Sequence, residues 1–249
     1  MTLAAQHGAG ASALDGDLQL WTAPLDLATA TEADELSVLS EEERERARRF
    51  RFERDSARYV TSRVCLRRLL AKRLEVSVEA IRLETRPGGK PQLAPPLPQS
   101  LGFSMSRSGP LALYALADCG EVGVDLEDCA PVVDVDSVGS RFFSANERAV
   151  LDRVGEEEKQ RGFYRTWTRK EAVLKAEGVG LDAPLEALDT TGDIARWDPA
   201  MPGAIRAARR WYVHDLEVVS GHAAALACEW ALPAGVPATR DAREVLANF

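Results

Sequence analysis

One arrangement, met twice along the chain, restricts the possible folds more than any other feature. Stretches with helical spacing of apolar residues are each followed by short apolar or alternating runs that suit antiparallel strands. In the first half, a short strand is predicted over 18–24. Ser40-Glu-Glu-Glu43 then places a hydroxyl and, three residues on, a carboxylate where a capping box starts a charged helix. A second helix is predicted from about 55 to 74, where Ala57, Val60, Val64, Ala71 and Leu74 recur on one face. Pro87-Gly-Gly-Lys-Pro91 and the Pro-rich stretch to about Ser100 break the pattern and predict a long loop. The runs 101–106, 111–117 and 122–127, turning at Asp118-Cys-Gly-Glu121, predict a small antiparallel meander. The second half repeats the order. Helical patterns cover about 144–154 and 156–177, and strand-like runs at 210–218 and 222–230 meet through Ser220-Gly221.

This order predicts an α/β (α+β) fold. The expected division is a loose N-terminus over 1–15, an N-terminal subdomain over 16–120, a C-terminal subdomain over 121–232 and a peripheral tail over 233–249. A single α+β domain without duplication is the simpler alternative. The 249 residues suffice for a sizeable core. A formal net charge of -8 argues against non-specific nucleic-acid binding, so a cationic site must be local. No run of 18 apolar residues exists, and no membrane span is expected. The first fifteen residues lack the basic start and apolar stretch of a secretion signal. Cys65, Cys119, Cys129 and Cys228 are scattered, as are His7, His214 and His222, so neither set has zinc-ligand spacing. A reducing, cytoplasmic compartment suits such cysteines better than a disulfide framework.

Four local patterns can carry chemistry. In Gly123-Val-Asp125-Leu-Glu127, strand alternation points Asp125 and Glu127 the same way. Two carboxylates on one face repel unless a cation joins them, and Mg²⁺ takes oxygen ligands of this kind. Alone, the pair is more often a solvated strand end. Trp167, Glu171 and Lys175 follow at i, i+4 and i+8 on one helix face. An exposed ion pair explains the last two equally well, whereas Trp167 argues that the stripe is partly covered. Arg44, Arg46, Arg48, Arg49, Arg51, Arg54 and Arg58, interleaved with Phe50 and Phe52 and followed by Tyr59, suit phosphate binding. They equally suit a solvated helix balanced by Glu41, Glu42, Glu43, Glu45 and Glu53. Finally, Gly88-Gly-Lys90-Pro91 and Ser104-Met-Ser106-Arg107-Ser108-Gly109 combine backbone freedom with positive charge, though each alone is more often a turn.

Together and in this order, the patterns resemble the 4′-phosphopantetheinyl transferase family, surfactin-synthetase-activating type. The resemblance rests on Gly89-Lys90-Pro91, Ser106 to Gly109, Gly123 to Glu127, Phe142-Phe143-Ser144 with Glu147, and Trp167 to Lys175. It spans about 40–181. It implies two pseudo-symmetric subdomains, each of helices on a small mainly antiparallel sheet, with the active site in the cleft between them. It implies transfer of the 4′-phosphopantetheine of coenzyme A to a serine of an apo acyl or peptidyl carrier protein, releasing 3′,5′-ADP. It further implies Mg²⁺, with Mn²⁺ as a substitute, held by Asp125, Glu127 and Glu171. Arg46, Arg58, Lys90, Pro91, Ser106, Arg107 and Lys175 become the expected coenzyme A contacts. Glu171 is the expected base, Lys175 the group that stabilises or protonates the leaving phosphate, and Glu147 a holder of metal-bound water. A cytoplasmic monomer serving no nucleic acid or membrane is expected. Two departures stand out. Arg107 replaces a histidine common in relatives at the nucleotide 3′-phosphate, and Glu43 stands where some relatives carry lysine. A coenzyme A or nucleotide binding module would need no carboxylate trio, and a phosphohydrolase would release 3′,5′-ADP without a carrier.

Overall fold

A computed structural model describes residues 18–26, 36–118, 120–180, 183–198, 200 and 209–246. The expected loose segment 1–15 lies outside them. Strand β1 (Leu18–Pro24) leads to helices α1 (Glu41–Arg48) and α2 (Glu53–Leu74). The capping box forms as the sequence predicts. The Glu43 backbone N–H donates to Ser40 Oγ at 3.2 Å, and the Ser40 N–H donates to Glu43 Oε2 at 2.9 Å.

The expected long loop is in part a hairpin, β2 (Leu83–Thr85) with β3 (Pro91–Leu93). The pairing of Leu83 with a buried Leu93 supplies the apolar anchor, and Gly88 and Gly89 at positive φ make the turn. Strands β4 (Gly102–Ser108) and β5 (Leu111–Ala117) pair antiparallel, and β5 pairs antiparallel with β1. The predicted three-stranded meander stops there. Both edges of β5 are taken by β1 and β4, so β6 (Val122–Asp128) joins β10 (His222–Cys228) and, beyond it, β9 (Tyr212–Asp215) in a second sheet.

Helices α3 (Val135–Phe142), α4 (Ala145–Leu151) and α5 (Glu156–Glu177) come between β6 and the short hairpin of β7 (Leu188–Asp189) and β8 (Arg196–Trp197). Strand alternation then builds the layers. Helix α2 covers one face of the first sheet through Leu66, Leu69, Leu70, Trp21, Phe103 and Tyr114. The opposite face, with Leu20, Leu113 and Ala115, packs on Val122, Val124, Leu126 and Leu226 of the second sheet. Ala172, Val173 and Ala176 of α5 close the far side over Val213, Ala225 and Ala227. The order is helix, sheet, sheet, helix, and all seven residues of β5 are buried.

The segment after Pro233, expected to be peripheral, returns to the first sheet. Strand β11 (Arg240–Asp241) pairs parallel with β1, Ala242 is buried in the first core, and α6 (Arg243–Leu246) packs on α2. Among the described residues, no helix is long and apolar enough to cross a membrane.

Candidate active site

The edges of the two sheets meet where β4 runs beside β6. Because Val122, Val124 and Leu126 enter the core, Gly123, Asp125 and Glu127 face α5. Gly123 sets the distance. A Cβ there would lie 2.0 Å from Ala172 O and 2.5 Å from the Ala176 nitrogen, so only glycine lets the strand approach the helix this closely. That approach brings Asp125 to Glu171 and Lys175, one helical turn apart on α5.

The Lys175 ammonium donates to Asp125 Oδ1 at 2.6 Å and to Ser106 Oγ at 2.9 Å. Ser106 Oγ lies 2.8 Å from the same Asp125 oxygen, and the Ser108 hydroxyl donates to Glu127 Oε2 at 3.0 Å. Asp125 Oδ2 and Glu171 Oε1 are buried with no hydrogen-bond partner. Burial first, and the charge of Asp125 second, push the Glu171 carboxyl up to about 7. The same two causes raise Glu127. Among the described residues, no three acidic, histidine or cysteine side chains converge into a ready ligand set, and Lys175 is the cation seated on Asp125. The two partnerless carboxylate oxygens and the raised carboxyls nonetheless describe a cluster short of positive charge. Its all-oxygen donors suit a hard divalent cation.

Beside this cluster lies a groove of two adjoining cavities of about 400 and about 450 Å³, which share Arg46, Met105, Pro91 and Lys175. The first is walled by Arg46, Arg63, Tyr59, Ser106 and Arg107. The second is more apolar, with Phe103, Leu174 and Val179, and reaches Glu171. Arg46 and Arg107 form no ion pair among the described residues. Aromatic faces hold them instead. The Arg107 guanidinium lies 5.5 Å from the rings of both Phe50 and Tyr59, and Arg46 lies 5.7 Å from Tyr59. Two guanidiniums without an ion pair over one cavity suit an anionic ligand, although Glu42 and Glu84 line the same cavity.

The profile of the 4′-phosphopantetheinyl transferase superfamily matches residues 121–227, and that of the 4′-phosphopantetheinyl transferase N-terminal region matches 29–118. The chain is 34% identical over 204 residues to the 4′-phosphopantetheinyl transferase HetI of Nostoc sp., covering 82% of this chain and 84% of that one. The chain belongs to the 4′-phosphopantetheinyl transferase family. It is also 33% identical over 152 residues to the transferase Sfp of Bacillus subtilis, across 61% of this chain and 66% of the relative. A 90-residue stretch, 36% of this chain and 45% of the relative, is 40% identical to AcpT of Escherichia coli.

The structure distributes the transferase's expected site residues unevenly. Glu171, Lys175, Ser106, Arg107, Arg46 and Pro91 line the groove, Asp125 adjoins it through its bonds to Lys175 and Ser106, and Glu127 lies outside the lining of both cavities, bonded to Ser108. Lys90 borders it, but its ammonium is fully engaged elsewhere. It donates to Glu121 Oε2 at 2.6 Å and to the carbonyls of Val122 and Ala176 at 3.0 Å each. Those three acceptors tie the β2–β3 hairpin to β6 and to the end of α5, so no donor remains for a phosphate. Arg58 is outside the lining of both cavities and grips Asp26 with two bonds, at 2.6 and 2.8 Å. Glu147 is 1% exposed. Its oxygens accept from the Ser144 and Thr190 backbones, from the Thr190 hydroxyl and from Lys170, which places it in a capping box and a buried ion pair instead of at a metal-bound water. Most of the arginine-rich stretch is balanced locally. Arg44 and Arg48 meet Glu41, and Arg49 meets Glu45.

Sequence reasoning missed Arg63, which reaches the cavity from α2 while bonded to Glu43 at 2.6 Å. Its spacing of i+4 from Tyr59 was an available signal. Glu43, flagged for replacing lysine, is buried and clamps Arg63 and Arg67, and the net effect of its partners holds its carboxyl below the usual range despite burial.

Proposed function

We propose that the groove binds coenzyme A with its nucleotide end among Arg46, Arg107 and Arg63, and that the carboxylate cluster carries out the chemistry. The reaction is that of the family: 4′-phosphopantetheine moves from coenzyme A to a serine of an apo carrier protein. The observation that carries this reading is the meeting of Asp125, Glu171 and Lys175 beside a groove lined also by Arg46 and Arg107, two arginines with no ion pair among the described residues.

Asp125, Glu127 and Glu171 would hold a divalent ion, Mg²⁺ or Mn²⁺. When bound, it supplies charge neutralisation and in-line orientation of the pyrophosphate. Glu171, with its carboxyl near 7, is suited to accept the proton of the carrier serine around neutral pH. The serine oxygen bonds to the phosphorus that bears the pantetheine arm, and that phosphorus loses its bond to the bridging oxygen of 3′,5′-ADP. Lys175 stands by to stabilise the departing phosphate with its remaining N–H donor. Arg46 and Arg107 fix the nucleotide, and the more apolar cavity accommodates the pantetheine arm. Cys129 and Cys228 form no disulfide among the described residues, which supports a reducing, cytoplasmic setting.

The test mixes apo acyl and peptidyl carrier proteins, coenzyme A and Mg²⁺ with the enzyme. Mass spectrometry should show a carrier heavier by one phosphopantetheine arm. An unchanged mass across a broad panel of carriers would sink the proposal.

A further inference from the structure

The edge strands β4 and β6 belong to different sheets, and side chains bridge them. Alternate residues of β4 face β6, and after Gly102 they are the serines Ser104, Ser106 and Ser108. The Val124 N–H donates to Ser104 Oγ at 3.1 Å. Ser106 Oγ meets Asp125 Oδ1 at 2.8 Å. Ser108 does two things at once: its Oγ accepts from the Asp128 N–H at 2.9 Å and donates to Glu127 Oε2 at 3.0 Å. A hydroxyl has one proton, so the bond accepted from the fixed backbone N–H orients that proton toward the carboxylate. Glu127 stands near the end of β6 and makes no ion pair among the described residues. Ser108 is the hydrogen-bond donor that restrains its rotation.

We infer that Ser108 is a positioning residue for the divalent ion, presenting Glu127 to it by locking the carboxylate against the neighbouring sheet. This rests on the proposed metal role of Asp125, Glu127 and Glu171, and makes one hydroxyl of the first sheet responsible for the aim of a carboxylate on the second. Groups that orient metal-binding carboxylates in this way typically change metal affinity by about 10- to 100-fold when removed. Ser104 is the internal control: it makes the same kind of seam bond to a β6 backbone N–H but touches no carboxylate.

The experiment titrates Mn²⁺ into the full-length protein with coenzyme A and no carrier, reading free Mn²⁺ by electron paramagnetic resonance. Ser108→Ala should weaken Mn²⁺ binding by about tenfold or more, Ser108→Thr should restore most of it, and Ser104→Ala should leave it near the parent value. Coenzyme A binding in EDTA, followed by calorimetry, should be unchanged in both Ser108 variants. Equal Mn²⁺ affinity in Ser108→Ala and the parent would overturn the inference, as would an equal loss in Ser104→Ala, which would make the seam merely structural. Should Ser108→Ala fail to fold, as judged by circular dichroism, the comparison passes to Ser108→Cys, which keeps the volume but donates weakly and should bind Mn²⁺ less tightly than Ser108→Thr. A parent protein that binds no Mn²⁺ would defeat the metal assignment itself, a result distinct from any behaviour of the variants.

Discussion

Glu171, the expected base and metal ligand, and Lys90, an expected coenzyme A contact, both belong to the resemblance, yet burial treats them differently. Glu171 keeps one oxygen without a partner, and its carboxyl is raised from 4.5 to about 7. Between those two pH values the unfolded chain has lost the proton while the folded chain still holds it. This group therefore subtracts stability as pH rises from 4.5 to 7, and the full penalty is present at pH 8. Glu171→Gln should reduce carrier modification by roughly 10²–10⁴-fold or more. In EDTA it should also raise the melting temperature at pH 8, with the gain vanishing near pH 4.5; an equal gain at both would contradict the assigned shift. Lys90 has all its donors engaged by protein acceptors. Lys90→Met should cost about 1–3 kcal/mol by leaving the Val122 and Ala176 carbonyls without that donor and Glu121 with Arg86 as its remaining close partner, visible as a lower melting temperature. Coenzyme A affinity of the folded variant should change little in calorimetry, whereas Arg107→Met should weaken it by about tenfold, equivalent to ~1.4 kcal/mol. The reverse ranking would return Lys90 to the phosphate site.

Elements place these side chains, and the decisive contact is β6 against α5. Gly123→Ala would drive a methyl group into the Ala172 carbonyl and the Ala176 nitrogen, neither of which can move without shifting the helix. A destabilisation of about 1–3 kcal/mol or more is expected in urea unfolding, with transfer activity falling further because Glu171 and Lys175 ride on the displaced helix. Undiminished activity in a stable Gly123→Ala protein would show that the close approach is dispensable. The far side of α5 is held differently. Lys170, with no exposed surface, joins Glu147 at 2.7 Å and donates to the carbonyls of Leu185 and Leu188. The lysine and glutamate that are neighbours in the Trp-x-x-Lys-Glu pattern thus point to opposite duties, one structural and one at the groove. At its end α5 stops on Gly178 in the left-handed region, at φ 77°, and Gly88 of the β2–β3 hairpin packs on that carbonyl.

At the scale of the molecule, two helix-covered sheets are stacked face to face, and the groove follows the line where their edges meet. The chain end contributes to the first sheet: β11 covers the outer edge of β1, and Ala242 fills its core. Removal of residues 233–249 should lower the melting temperature and expose the β1 edge to intermolecular pairing, detectable as self-association in sedimentation. A truncated protein that melts like the parent and stays monodisperse would show this closure to be incidental.

Much of this was legible from spacing alone. The capping box at Ser40, the long helices and the alternation in 122–127 depend on neighbours within a few residues, where hydrogen-bond reach and side-chain direction follow directly from chain geometry. The motifs that carry the family resemblance lie in these local units, so the reaction was legible too. Partner choice was not. The edge that β6 takes depends on β1 having already occupied β5, a segment about a hundred residues earlier. The fates of Lys90, Arg58 and Glu147 likewise depend on which distant carboxylate or carbonyl comes within hydrogen-bond range. A cation in a motif is a free phosphate ligand or a fixed internal tie according to what the assembled chain puts beside it, because burial and pairing energies act through space and leave no mark on local order.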